Sequence, residues 1–290
     1  MSLLHELSGL IARKPKESVF EGLSKAVKGR EPGNVAYDLK QLVESLSWVL
    51  RAKSKVIFGL RYLRNQVMWK AILSTAKKEN RAYLPSLADE LCRLYYAYWI
   101  AGHNAAKVRD ISFQIIEHVK NSTEIDAVTE IARDKLQKDR IAERAMESLD
   151  TDVFDSPWLK RVLLLIEYGL TDDSKLAFVD LDKDVHVNHI LPRGWENDKY
   201  WKGLWTKEEA SVWLNKIGNL TLVSGRKNEA AQNRSFEKKK AIYREERGDG
   251  ATGFSMSREL CRLQDWTPEG AEKRQKLMRR RISEFLRLDV

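Results

Sequence analysis

Three polar residues, His189, Asn219 and Asn228, are the ones whose types and spacing could carry chemistry in this chain. An imidazole titrates near neutral pH and can take up or release a proton there, while a side-chain amide offers a neutral oxygen to a hard cation. Twenty-nine residues separate His189 from Asn219 and eight separate Asn219 from Asn228. Each also has an ordinary explanation. A histidine ahead of apolar residues is commonly a satisfied, partly buried side chain. An asparagine after a glycine, here Gly218, suits a turn, and one near a helix start suits a cap. The three together, at this spacing, weigh more than any one of them.

The elements that must position them can be read locally. Asp184 to Leu191 places valine and isoleucine among polar residues and stops at Pro192, which predicts a short strand. Alternation puts His186 and Asn188 on one face and Val187 and His189 on the other. Gly218 and Asn219 then turn the chain into a second strand of Leu220, Thr221, Leu222 and Val223. From Arg226 to Glu246 the residues are good helix formers without proline, interrupted near Asn233 to Ser235, where Ser235 can cap a second helix. The local order is strand, strand, helix. Between the strands, Trp195, Trp201, Trp205 and Trp213 read as packing for a small unit whose two-stranded hairpin cannot bury much alone.

HILP, GNLTL, the asparagine that follows and the trailing NRSFEKKKAIY resemble the HNH-type nuclease domain at the C-terminus of GmrSD-type modification-dependent restriction proteins and related anti-phage nucleases, the phosphorothioation-sensing Ssp type included. The helix WLKRVLLLIEYGL and the segment LQDWTPEGAEKRQKLMRRR extend the likeness over about Ser156 to Leu288. The resemblance implies a ββα-metal fold and a metal-dependent DNA endonuclease, nicking or cutting, that serves anti-phage restriction. It implies that His189 is the general base, that Asn219 orients it, and that Asn228 binds a divalent cation, magnesium or manganese. It also implies an NTPase sensor domain as partner, in the same polypeptide or a separate one. That sensor's signature is absent from these residues, so the expectation is an effector subunit or, slightly preferred, a C-terminal piece of a longer protein.

One position departs from the family pattern. Relatives usually carry a carboxylate just before the histidine as a metal ligand, and Asn188 stands there in this chain. A neutral amide binds a hard cation less tightly, so metal affinity is expected to fall. His186, two residues back, could compensate and move the preference toward manganese, nickel or zinc. The expected metal set is therefore Asn188, Asn228 and His186. An alternative stays open: an HNH-fold nucleic-acid-binding module weakened in catalysis. A nuclease acting on RNA is a third reading.

The rest of the chain sets the context. Its 290 residues suggest two domains, 1–150 as a helical bundle and 151–290 as the nuclease domain, with Thr151 to Pro157 as the boundary. The fold class expected is mainly α, with the ββα module embedded in helices. Tyr37 to Val56 repeats apolar residues at helical spacing through Leu39, Leu42, Val43, Leu46 and Leu50, and similar patterns run over Asn65 to Thr75, Pro85 to Ala101, Lys107 to Lys120 and Asp126 to Ser148. Two distant cysteines, Cys92 and Cys261, make a disulfide framework or zinc–thiolate site a poor fit. The first residues, MSLLHELSGLIARKPKE, lack secretory-signal organisation, and the expected location is the cytoplasm.

A net charge of +9 and an isoelectric point near 9.3 favour a polyanionic partner. Arg226, Lys227, Arg234, Lys238, Lys239 and Lys240 are the expected DNA contacts, continued by Arg244 and Arg247. A second basic run, Arg274, Lys276, Arg279, Arg280 and Arg281, could likewise hold phosphates. On the N-terminal side, Arg51, Lys53, Lys55, Arg61 and Arg64 are either a DNA-tracking face or a solvated helix surface.

Overall fold

The computed structural model describes residues 18–64, 66–103, 105–181, 185–244 and 253–288. Expectations that fall on residues 1–17, on Asn65, on Asp184 or on 245–247 lie outside that set. Within it the protein is mainly helical, with one small two-stranded sheet. The chain divides into two compact units, residues 1–142 and 143–290.

The first unit consists of helices among its described residues: α1 (Val19–Val27), α2 (Pro32–Arg51), α3 (Lys55–Arg61), α4 (Gln66–Lys78), α5 (Leu84–Ile100), α6 (Ala105–Asn121) and α7 (Asp126–Lys138). Helix α4 lies at its centre, packing on α2, α5 and α6, and Met68, Trp69, Ala71, Ile72, Leu73 and Ala76 on it are buried. Tyr95, Tyr96 and Tyr98 are buried too, as packing residues with their hydroxyls bonded to Ser112, the Gly59 carbonyl and Asp139 respectively. The expected Tyr37–Val56 helix is split. Ser54 accepts a hydrogen bond from the Ile57 N–H and starts α3, because a serine oxygen at that point satisfies a helix donor that would otherwise lack a partner. The buried stripe of α2 is Leu42, Ser45, Leu46 and Val49, with Leu39 and Val43 turned outward. Helix α8 (Ile141–Leu149) follows a reversal at Arg140, whose φ of 50° ends α7.

The second unit is built around the hairpin. Helix α9 (Leu159–Leu170) is apolar along most of its length, and its buried Glu167 carboxylate accepts the backbone N–H groups of Ser255 (2.6 Å) and Met256 (3.0 Å). Strand β1 (His186–His189) pairs antiparallel with β2 (Leu220–Val223), His186 opposite Val223 and His189 opposite Leu220. Between them lie the short helices α10 (Lys199–Lys202) and α11 (Lys207–Trp213), the latter held by a capping box of Thr206 and Glu209. After β2 come α12 (Gly225–Ala231), α13 (Phe236–Arg244), α14 (Ser255–Leu260) and α15 (Pro268–Leu286). Four residues per strand cannot form an independent sheet. The core that supports them joins Ile190, Leu191, Trp195, Trp201, Trp205, Val223, Phe236, Tyr243 and Trp266. Trp201 and Trp205 donate their indole N–H groups to the carbonyls of Arg234 and Trp266, so these rings are packing and cross-bracing together.

Helix α15 locks the turn that enters β2. Arg274 is buried and donates to the carbonyls of Gly218 and Leu220, both at 2.7 Å. The Gln275 amide oxygen takes the Gly218 N–H at 2.8 Å. A Cβ at position 218 would lie 2.7 Å from the Ala271 carbonyl oxygen and 2.9 Å from the Gln275 nitrogen, both backbone atoms that cannot swing away. Gly218→Ala is therefore expected to destabilise the protein by about 1–3 kcal/mol, read as a fall in the urea midpoint at unchanged slope; an unchanged midpoint would show that helix α15 does not sit this close.

Candidate active site

Asn219 is wholly buried and its side chain is fully engaged. The amide oxygen accepts the Leu191 N–H at 2.8 Å and the Trp266 indole N–H at 3.0 Å, and the amide nitrogen donates to the carbonyls of Leu214 at 2.9 Å and Leu191 at 3.1 Å. Its backbone carbonyl also takes the Ile190 N–H at 2.9 Å. One residue thus ties the chain just past His189 to the chain just before β2. Asn219 holds the loop; its side chain does not touch the imidazole.

The residue that touches the imidazole is Asn215. Its amide oxygen lies 3.2 Å from His189 Nε2. An amide oxygen can only accept, so Nε2 carries the proton and Nδ1 of the neutral ring keeps its lone pair. Phe154 packs on the same ring, centroids 4.3 Å apart at 35°, and the Arg193 guanidinium carbon lies 4.3 Å from the Phe154 centroid. His189 is 8% exposed. Burial pushes its pKa from 6.5 down to about 4; the Asn215 bond and the charge of Asp155 oppose that fall, and the charges of Arg193 and Lys239 add to it.

On the other face of β1, Asn188 donates to Asn228 Oδ1 at 2.9 Å. Asn188 Oδ1 accepts from the Tyr243 hydroxyl at 2.9 Å and faces the Lys239 ammonium at 3.4 Å. Lys239 is wholly buried and also donates to the His189 carbonyl. Desolvation lowers its pKa from 10.5 to about 7. The residues expected to act together therefore fall into two groups: His189 with Asn215 and Phe154, and Asn188 with Asn228, Tyr243 and Lys239. The two meet through the backbone of β1 and through Lys239.

These contacts bear on a cation. Both acceptor positions of Asn188 Oδ1 are occupied, one by an ammonium, so Asn188 is a poor ligand as it stands. Asn228 Oδ1 accepts one hydrogen bond and retains a second lone pair. His186 is exposed beside Gly225 at the start of α12. No group of three His, Cys, Asp or Glu side chains suited to a metal occurs among the described residues. A closed protein cage is not what this donor set resembles. An ion held mostly by water and phosphate oxygens, with Asn228 as protein ligand, fits it, as is common for magnesium.

The basic residues need correction on structural grounds. Lys239 is buried as described, and Lys240 is buried with its ammonium on the Leu263 and Gln264 carbonyls and the Glu237 carboxylate. Lys227 is buried with its ammonium on the Tyr243 carbonyl. None of the three presents its charge to a duplex; Lys227 and Lys240 serve a helix end and a loop, and Lys239 the end of β1. Arg226, Arg234 and Lys238 are exposed. In the second run Arg274 is internal, while Arg279 and Arg281 pair with Asp150 and Glu259, and Lys276 and Arg280 with Glu272 and Glu284 on their own helix.

Sequence reasoning missed Asn215, Phe154, Tyr243 and the buried state of Lys239. Phe154 lies in a segment that reads as a linker, and its neighbour Val153 is buried with its N–H on the Asn215 carbonyl. The adjacent Val153 and Phe154 in a connector otherwise rich in acids were the available signal. The comparisons with known proteins bear on the same region. The family model of GmrSD restriction endonucleases, C-terminal domain, matches residues 136–281, half of the chain. The chain belongs to that family, and with it to the nucleases of restriction systems. No curated protein and no solved structure matches it. No helix among the described residues is long and apolar enough to cross a membrane.

A histidine held neutral by burial stabilises the fold above its unfolded pKa and loses that contribution as pH falls through the folded value. Unfolding free energy should thus decline between pH 6.5 and about 4 by an amount that His189→Gln removes. Urea titrations of both proteins across that window check this, and equal pH slopes would contradict it.

Proposed function

We propose that the C-terminal unit is an HNH-type nuclease of ββα-metal architecture that hydrolyses DNA phosphodiesters, with His189 as general base. The observation that carries the proposal is the Asn215–His189 contact, in which an amide oxygen accepts a hydrogen bond from Nε2–H and leaves Nδ1 as the basic nitrogen. The family match supports the reaction class. In this mechanism Nδ1 takes a proton from water as the water oxygen bonds to phosphorus. The ester oxygen on the far side leaves and is protonated from solvent. The low pKa keeps the base unprotonated at neutral pH, although it also makes it a weaker base. Asn219 holds the loop, and Asn215 holds the ring.

A divalent cation, magnesium or manganese, would polarise the phosphate and stabilise the leaving oxygen; Asn228 would hold it, with His186 as a further ligand. Arg226, Arg234 and Lys238 supply exposed charge for the duplex backbone. Restriction is the biological setting the family supports, with an NTPase sensor as the proposed partner. The saturated oxygen of Asn188 supports a second reading, a DNA-binding module with weakened catalysis. Supercoiled plasmid with magnesium or manganese separates the two. His189→Ala should lower relaxation by roughly 100-fold or more, with Asn215→Ala falling between it and the native protein. Metal-independent gel shifts without cleavage would instead establish the binding module.

A further inference from the structure

Arg193 follows His189 by four residues and is exposed. Its guanidinium packs on Phe154 at 4.3 Å, and the imidazole of His189 packs on that same ring, also at 4.3 Å. Phe154 therefore contacts both a cation and the candidate base. Among the described residues no carboxylate pairs with Arg193. Several other arginines of this unit are bound to carbonyls or carboxylates, as Arg274, Arg279 and Arg281 are. Arg193 differs from these three in being exposed and, among the described residues, without a carboxylate partner.

The chemistry of the group narrows what it meets. A guanidinium held over an aromatic ring can keep N–H donors of its planar fork free for another ligand. That fork matches two oxygens of a phosphate, which a lysine ammonium does not. The aromatic support also restricts the side chain before any ligand arrives, reducing the ordering cost of the contact. The donor set for a cation has amides where a carboxylate is usual, and the positive charge of Arg193 reaches His189 together with that of Asp155, the carboxylate whose charge acts on the ring.

We propose that Arg193, presented on Phe154, clamps the phosphodiester attacked from the His189 side and offsets the charge that builds on its oxygens as the water adds. This rests on the nuclease reading given above. The role requires contact with substrate, and it assigns Phe154 as the positioning residue that aims the clamp.

The test uses the full chain and a short DNA duplex, with Arg193→Gln, Arg193→Lys and Phe154→Leu beside His189→Ala. Cleavage is measured at saturating DNA, and duplex binding by anisotropy over a salt series without metal. Arg193→Gln should lower kcat roughly 100-fold, as loss of a donor to a developing anion does, and reduce the slope of log Kd against log salt by about one. Arg193→Lys should restore the slope but not the rate, and Phe154→Leu should lower kcat less than Arg193→Gln while leaving the slope intact. If Arg193→Gln matches the native protein in both readouts while His189→Ala is inactive, the clamp is overturned and the nuclease reading stands. If native protein does not cleave yet Arg193→Gln flattens the salt slope, the nuclease reading fails and the phosphate contact is upheld. A Phe154→Leu protein indistinguishable from native would overturn the positioning role.

Discussion

The buried amide of Asn219 is the constraint on which the site depends. Two of its four side-chain hydrogen bonds go to the N–H and carbonyl of Leu191 and the others to Leu214 and Trp266. A peptide group just after β1 and the carbonyl just before the turn into β2 are thus fixed to the same side chain. Leaving any of these groups unpaired in the interior would cost on the order of 1–3 kcal/mol, which makes the arrangement stiff. The position of Asn215 follows from it, because Asn215 is the residue after Leu214. The imidazole of His189 is then held against an oxygen whose location was set by a different asparagine.

Electrostatics supplies the second layer. Lys239 lies beneath the strand, bonded to the His189 carbonyl and facing the Asn188 amide, and burial lowers its pKa to about 7. Together with Arg193 it depresses the pKa of His189. An amide beside Lys239, where a carboxylate is usual, leaves Asp155 as the carboxylate whose charge reaches His189. Such a neighbourhood is suited to receiving a phosphate. The same arrangement disfavours a strongly held resident metal ion, because the amide oxygen of Asn188 already faces an ammonium.

Much of this was legible in the amino-acid order. The second strand, Leu220–Val223, falls where a glycine–asparagine turn followed by β-branched and leucine residues puts it. The break between α12 and α13 falls at Asn233 to Ser235, and the tryptophans pack as a small hairpin unit requires. Alternation on β1 correctly separates Asn188 from His189. What was not legible are contacts between residues distant in sequence. Asn188 meets Asn228 across 40 positions, and Lys239 meets His189 across 50. A run of three lysines reads as exposed charge, yet helical spacing turns Lys239 and Lys240 inward and leaves Lys238 out. Asn215 carries no local signal, since its position depends on the side-chain bonds of Asn219, four residues later.

Nitrogen-15 NMR of the His189 ring, in the native protein and in Asn219→Ala, tests this account most directly. The native ring should remain neutral, with the proton on Nε2, as pH falls from 6.5 toward about 4, and Asn219→Ala should lose that tautomer and titrate closer to the ordinary value. A native ring that titrates near 6.5, carries its proton on Nδ1, or is unaffected by loss of the Asn219 amide would contradict it.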